Sequence, residues 1–403
     1  MKREMFDTVP LGALLEDSPR NGYSPVCPDL PTGKWVLGLS ALDGLGLDLS
    51  EPKPAPENDS LVDKFVLRPG DFLISRSNTF DKVGRVGVFR GGLENCSYPD
   101  LMMRFRPDSR KVNPLYLEAY LKSDAVTRFI RQHATGTSSS MRKINQASVE
   151  SIPVVLPSQK EQARIAEVLR GWYEAIQKTE QLIAANQLRL GHWRDQFLSK
   201  SKGASLVKLH TVTQELTARN GTSLGRDSVM AVTKQVGMRP MREETMAANI
   251  ERYKVVPPEA FAYNPMRLNI GSIAMSPFGR PVLVSPDYVV FACDPEKLLP
   301  AYLHHLRHSH KWKSHFEQAG NGSVRVRIYY DDLGRFTFPL PPIEVQASVA
   351  RLLDAAEREI ELLTRKAELL KTEKRGLMQK LLTGQWRVPV GKQAGAACRV
   401  PSP

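Results

Sequence analysis

One unit of roughly 190 residues is written twice in this chain, and that repeat limits the fold more than any other feature. Ile152-Pro153-Val154-Val155-Leu156-Pro157 leads into Gln162-Ala163-Arg164-Ile165-Ala166-Glu167-Val168-Leu169. At a shift of 184 the chain runs from Phe336 to Pro341, then Gln346-Ala347-Ser348-Val349-Ala350-Arg351-Leu352-Leu353. The same shift pairs Gly136 with Gly320, Lys143 with Arg327 and Ile144 with Ile328. Upstream it becomes 187, where Val83-Gly84 meets Ile270-Gly271 and Pro99-Asp100 meets Pro286-Asp287. Near the start it is about 199, where Arg20-Asn21-Gly22 meets Arg219-Asn220-Gly221. Loop insertions in a duplicated domain produce such drift.

The expected order is globular part (1–157), long helix (158–203), globular part (204–342), long helix (343–384) and a flexible tail (385–403). Trp35-Val36-Leu37, Phe72-Leu73-Ile74 and Tyr288-Val289-Val290-Phe291 are strand-like, punctuated by Gly and Pro as in Arg68-Pro69-Gly70-Asp71. Leu115–Arg131 and Pro300–Phe316 are helical stretches. The mixture predicts an α/β or α+β fold with two globular domains in tandem.

Both long helices carry a heptad seam. Val349, Leu353, Ala356, Ile360, Leu363, Ala367, Leu370, Lys374, Leu377 and Leu381 are spaced four and three apart. Their counterparts are Ile165, Leu169, Trp172, Ile176, Thr179, Ile183, Asn186, Leu190, Trp193 and Phe197. Apolar residues at this spacing over more than four heptads, with no proline, define a coiled-coil seam. The favoured partner of each helix is the other; the heptad itself leaves the direction open. Thr179, Asn186 and Lys374 are polar seam positions able to set register. Forty residues at 1.5 Å give a helix on the order of 60 Å long.

The charge sits unevenly. The chain carries 56 Lys+Arg against 43 Asp+Glu, a net +13, which points to an anionic partner. Yet residues 1–157 hold 20 basic and 19 acidic groups, and their cations gather between Arg104 and Lys143. The second copy has Arg307, Lys311, Lys313, Arg325 and Arg327 in the matching piece. Each patch includes a Gly/Ser loop, 136–143 and 320–327. Small residues let the backbone approach a phosphate, and Arg and Lys neutralise it. Arg142 and Lys143 close the first loop. Arg20, Arg76, Arg219, Arg239 and Arg280 sit in turn-like contexts, where Arg can read guanine in the major groove.

No complete active site is legible. Gly221-Thr222-Ser223-Leu224-Gly225 matches a nucleophile elbow, but polar turn residues surround it where a strand and a helix are needed. His304, His305, His308, His310 and His315 cluster without a neighbouring carboxylate, so a solvated or DNA-facing helix is expected and no metal. A phosphate-binding P-loop and an Asn-Pro-Pro-aromatic methyltransferase motif are both absent. No apolar run could cross a membrane and no signal peptide opens the chain, so a cytoplasmic protein is expected. Cys27, Cys96, Cys293 and Cys398 stand far apart and form no metal or redox pair.

Ile152–Leu169 with its copy Phe338–Leu353, Arg68-Pro69-Gly70-Asp71, Tyr98-Pro99-Asp100 and the ending Lys374–Gly384 together resemble the specificity (S) subunits of type I restriction–modification systems. The likeness covers the chain to about Val390. It implies two target recognition domains, each reading one half of a split DNA sequence. The two helices would pair antiparallel and act as a ruler for the spacer, with Ile165 near Leu381 and Leu353 near Trp193. The subunit would have no catalysis and no cofactor of its own. Its partners would be double-stranded DNA, two methyltransferase (M) subunits that bind S-adenosylmethionine and flip the target adenine, and restriction/translocase (R) subunits. A coiled-coil scaffold without DNA binding is the alternative.

Overall fold

A computed structural model describes residues 6–44, 46–136, 141–199, 204–234, 237–318 and 327–388. The chain divides into two compact units, Met1–Gln177 with Glu368–Pro403, and Lys178–Ala367. The boundary cuts through both long helices, so each unit owns part of each.

In the first unit, strands Arg20–Asn21, Met102–Phe105, Phe72–Ser75 and Val86–Val88 lie side by side in that order, all antiparallel. Every residue of Phe72–Ser75 is buried. Side chains alternate across a strand, so Phe72 and Ile74 enter one core with Phe105 and Tyr116, and Leu73 enters another with Leu37 and Tyr98. Strand Asp7–Pro10 pairs antiparallel with Pro153–Leu156. Tyr116 and Tyr120 donate to the carbonyls of Val155 (2.7 Å) and Pro153 (3.0 Å), tying a helix onto that ladder.

The second unit repeats this plan. Strands Thr213–Glu215, Val289–Cys293, Phe261–Tyr263 and Ile273–Met275 form an antiparallel sheet in the corresponding order. Strand Ser205–Lys208 pairs with Thr337–Leu340 as Asp7–Pro10 does with its partner. The single helical stretch expected in each copy is two helices, Pro114–Leu121 with Asp124–His133, and Pro300–Leu306 with His310–Gln318. The physical reason is a serine: Ser123 Oγ accepts from Val126 N–H and Ser309 Oγ from Trp312 N–H, each starting a new helix. Pro114 and Pro300 occupy the first turn of the leading helices, where a missing N–H costs nothing.

The long helices run Gln159–Ser199 and Ile343–Leu382. A buried glutamine anchors the start of each. Gln162 Oε1 accepts from Asn113 N–H (2.8 Å) and Gln162 Nε2 donates to Pro157 O (2.8 Å). Gln346 Oε1 accepts from Leu299 N–H (3.0 Å) and its Nε2 donates to Pro341 O (2.8 Å).

The helices pack together antiparallel. In the first unit Ile165 and Leu169 share a core with Leu381 and Leu382, while Lys374 Nζ lies 5.3 Å from the Tyr173 ring centroid. In the second, Leu190 and Trp193 share a core with Leu353 and Ala356, and Arg189 meets Glu359 at 3.1 Å. Ile165, Leu169, Ile176, Leu190, Leu353, Ala356, Ala367 and Leu381 are buried. Trp172, Ile183, Trp193, Phe197, Val349, Ile360, Leu363, Leu370 and Leu377 are half-buried. Leu188 and Leu362, off the seam, are exposed. No helix among the described residues is long and apolar enough to cross a membrane.

Leu353 is completely buried and Leu362 is 61 % exposed. Leu353→Ala should therefore cost about 2–5 kcal/mol, and Leu362→Ala less than about 0.5 kcal/mol. Denaturant unfolding of the two variants checks this.

Candidate nucleic-acid interface

The basic patch of the first unit is built by three segments. Strand Arg142–Lys143 pairs antiparallel with Ser77–Asn78, and Ile144 N–H donates to Arg76 O at 2.9 Å. That pairing fixes Arg142 beside the turn that carries Phe80. Helix Asp124–His133 supplies Arg131 from the other side. The Arg131 and Arg142 guanidinium carbons stand 5.2 and 5.7 Å from the Phe80 ring centroid. Such stacking is a favourable cation–π arrangement. Phe80 is 45 % exposed and Lys143 is exposed. Arg142 Nη1 donates to Gly136 O (2.6 Å), but the Nε atoms of Arg131 and Arg142 are buried without a hydrogen-bond partner. Neither side chain has an ion-pair partner among the described residues.

Other cations of this unit are differently disposed. Arg104 is half-buried, with Nη1 on Asp71 and Nη2 on Asp17, both at 3.2 Å. Arg106 reaches the same buried Asp71 at 2.8 Å. These arginines, with Arg20, Lys64 and Arg68, line a cleft of about 680 Å³. Arg20 is mostly exposed at its mouth, 3.8 Å from Asp17. Arg76 donates to Asp100 O at 3.4 Å.

In the second unit the sequence-derived residues lie in separate contacts. Arg219 donates to Arg252 O (2.6 Å), and Arg280 donates to Ser228 Oγ (2.8 Å) and lies 3.8 Å from Asp227. Arg239 is exposed on strand Gly237–Pro240. Lys311 is half-buried and Lys313 exposed on helix His310–Gln318, and Arg327 is exposed. Arg325 and the rest of 319–326, like 137–140, lie outside the described residues. The scaffold nevertheless matches that of the first unit. Ile328 N–H donates to Pro265 O at 3.1 Å, as Ile144 does to Arg76. Gly84 (φ +79°) and Gly271 (φ +87°) end corresponding turns in a backbone region that favours glycine. Four residues before these glycines stand Phe80 and Arg267, both exposed. Neither residue carries a sequence signal of its own, although the shift of 187 aligns them.

The histidine cluster requires a correction. His305 is fully buried, and its Nε2 lies 2.8 Å from Asp354 on the second long helix. His304 Nε2 lies 3.6 Å from Glu357, which also bonds Arg194 of the first long helix. Helix Pro300–Leu306 thus turns His304 and His305 onto the second long helix and not to solvent, because carboxylates distant in sequence reach them; His310, on the helix that follows, is exposed. His304, His305 and Glu357 bring three ligand atoms within 4.8 Å. Arg194, however, already pairs with Glu357, and Arg307 Nη2 lies 3.3 Å from His304 Nδ1. Burial favours a neutral Glu357, but the hydrogen bond from His304 and the charge of Arg194 hold its carboxyl down at about 2. Burial, then Arg307 and Arg194, push the His308 imidazole down to about 2. Burial also lowers His305. The arrangement is a clasp in which the Arg194–Glu357 ion pair lies beside the neutral imidazoles of His305 and His308.

No family model matches the chain. Over 354 residues it is 24 % identical to the inferred type I restriction enzyme MjaX specificity subunit of Methanocaldococcus jannaschii, covering 81 % of each chain. It is 27 % identical over 157 residues to the StySPI specificity subunit of Salmonella potsdam, 39 % of this chain and 30 % of that one. With the EcoKI specificity subunit of Escherichia coli the identity is 25 % over 202 residues, half of this chain and 39 % of the relative. The type I system S subunit of M. genitalium superposes with a TM-score of 0.60 at 11 % identity, covering 95 % of this chain and 97 % of that one. A chain from a structure of type I R-M complex assembly and conformational transition gives 0.58 at 14 %, over 95 % and 99 %. The duplicated unit with an antiparallel helix pair defines the fold class. Within that class the chain resembles, in sequence and in fold, type I restriction–modification specificity subunits.

The clasp has a pH signature. Below about 6.5 the unfolded chain protonates His305 and His308, while the folded unit keeps them neutral. Thermal stability should therefore fall as the pH drops from about 7 to 5. His308→Leu should flatten that fall, as a pH series of melting curves would reveal.

Proposed function

We propose that this chain is the sequence-reading, non-catalytic subunit of a type I restriction–modification complex. Each unit reads one half of a bipartite duplex target, and the helix pair sets the spacer between the halves. M subunits that bind S-adenosylmethionine and R subunits that translocate and cut are its partners, and it works in the cytoplasm. The observation that carries this reading is the patch of Arg131, Arg142 and Lys143, whose half-buried guanidiniums have no carboxylate partner among the described residues. Buried or half-buried cations are costly unless paired, and a phosphate backbone supplies the missing anions. The related specificity subunits and the recurrence of the same scaffold in both units support it.

Residues assigned to DNA are Arg20, Arg76, Arg131, Arg142, Lys143, Arg219, Arg239, Arg280, Lys311, Lys313 and Arg327. Arg104, engaged by Asp17 and Asp71, contributes by shaping the cleft floor.

Salt titration tests the proposal. Binding of the subunit, in complex with its methyltransferase, to duplex DNA should weaken steeply between about 50 and 200 mM salt, by a factor on the order of 10³ for six phosphate contacts. Arg142→Ala should reduce the log–log slope by about 1. Duplex binding that is absent or insensitive to salt would favour the scaffold reading.

A further inference from the structure

Phe80 is left exposed, as Tyr329 and Trp386 are, and it has two guanidiniums over its ring. It is 45 % exposed and belongs to none of the buried clusters. It stands at a turn closed by Val83 N–H to Thr79 O (2.9 Å), with Thr79 Oγ1 donating to Asp81 at 2.6 Å. An exposed phenyl ring gains nothing from water, and its two companions are guanidiniums, Arg131 and Arg142, stacked over it. The ring is therefore presented at the surface, flanked by two cations whose Nε donors are unfilled. This is the composition of a DNA wedge. An apolar side chain enters between base pairs, and adjacent cations hold the flanking phosphates as the duplex kinks.

Resting on the DNA-reading role proposed above, we infer that Phe80 inserts at a base step of the half-site read by the first unit, with Arg131 and Arg142 moving from its ring to the flanking phosphates. Unstacking is cheapest at pyrimidine–purine steps, so the wedge reads deformability without a hydrogen bond to a base. The second unit carries Arg267 at the corresponding turn position. The step assigned to Phe80 therefore belongs to the half-site of the first unit.

The test uses the subunit assembled with its methyltransferase and a duplex whose target is first mapped by adenine methylation. 2-Aminopurine is placed singly at positions other than the methylated adenine, so that base flipping does not contribute. Fluorescence should rise severalfold at one step in one half-site with the wild type. It should stay low with Phe80→Ala, whose binding also weakens about tenfold. Phe80→Leu, which keeps an apolar wedge but loses the aromatic shelf for the arginines, should restore the signal. An unchanged signal in Phe80→Ala, no unstacked step with a methylating wild type, or failure of Phe80→Leu to rescue would overturn the wedge. Absence of methylation by the wild-type complex would instead overturn the DNA-reading role itself. The ring is outside the core, so the melting temperatures of the three forms should differ by no more than the loss of two surface cation–π contacts explains.

Discussion

The structure depends on one buried amide used twice. Gln162 joins the end of a strand at Pro157 to the helix that begins after Asn113, and does so from the first turn of a long helix. Gln346 does the same with Pro341 and Leu299, and reaches Lys297 O as well (2.8 Å). Both side chains are essentially inaccessible to water. A buried carboxamide left unpaired is expensive, so each long helix leaves its sheet in one orientation only. The seam residues then meet their counterparts in register, and the surface loops inherit a fixed base.

Much of this was legible in the sequence because it is periodic or repeated. The heptad spacing marks Leu353 and Ile165 as seam residues from position alone, and the recurrence of Gln in Gln162–Leu169 and Gln346–Leu353 marks the start of each helix. Periodicity could not tell the helix break at Ser123 from continuation, since a serine N-cap interrupts the apolar pattern by only two residues. The histidine clasp was hidden for a different reason. His305 and Asp354 are neighbours only because a sheet-covering helix packs on the long helix, and no local pattern encodes that meeting. Phe80 was hidden because one exposed aromatic has no period at all.

The cations divide by the carboxylates available to them. Arg104 and Arg106 converge on Asp71, which is buried and accepts from Arg68 N–H as well. Their charge serves the interior of the cleft. Arg131 and Arg142 have an aromatic ring in place of a carboxylate. Composition counts both pairs alike, and this is why a net charge near zero in 1–157 conceals two guanidiniums with no carboxylate partner among the described residues. In Arg194 and Glu357 the same logic works against a metal: the guanidinium already supplies the positive charge that a dication would bring.

The central claim is that two structurally equivalent units read two halves of one target independently. Mapping methylated adenines genome-wide, in cells carrying the partner methyltransferase with this chain or with an Arg239→Ala/Arg280→Ala form, tests it most directly. The account predicts a split target for the parent chain and relaxation of bases in one half only for the altered one. Simultaneous change in both halves, or methylation at a single undivided sequence, would contradict it.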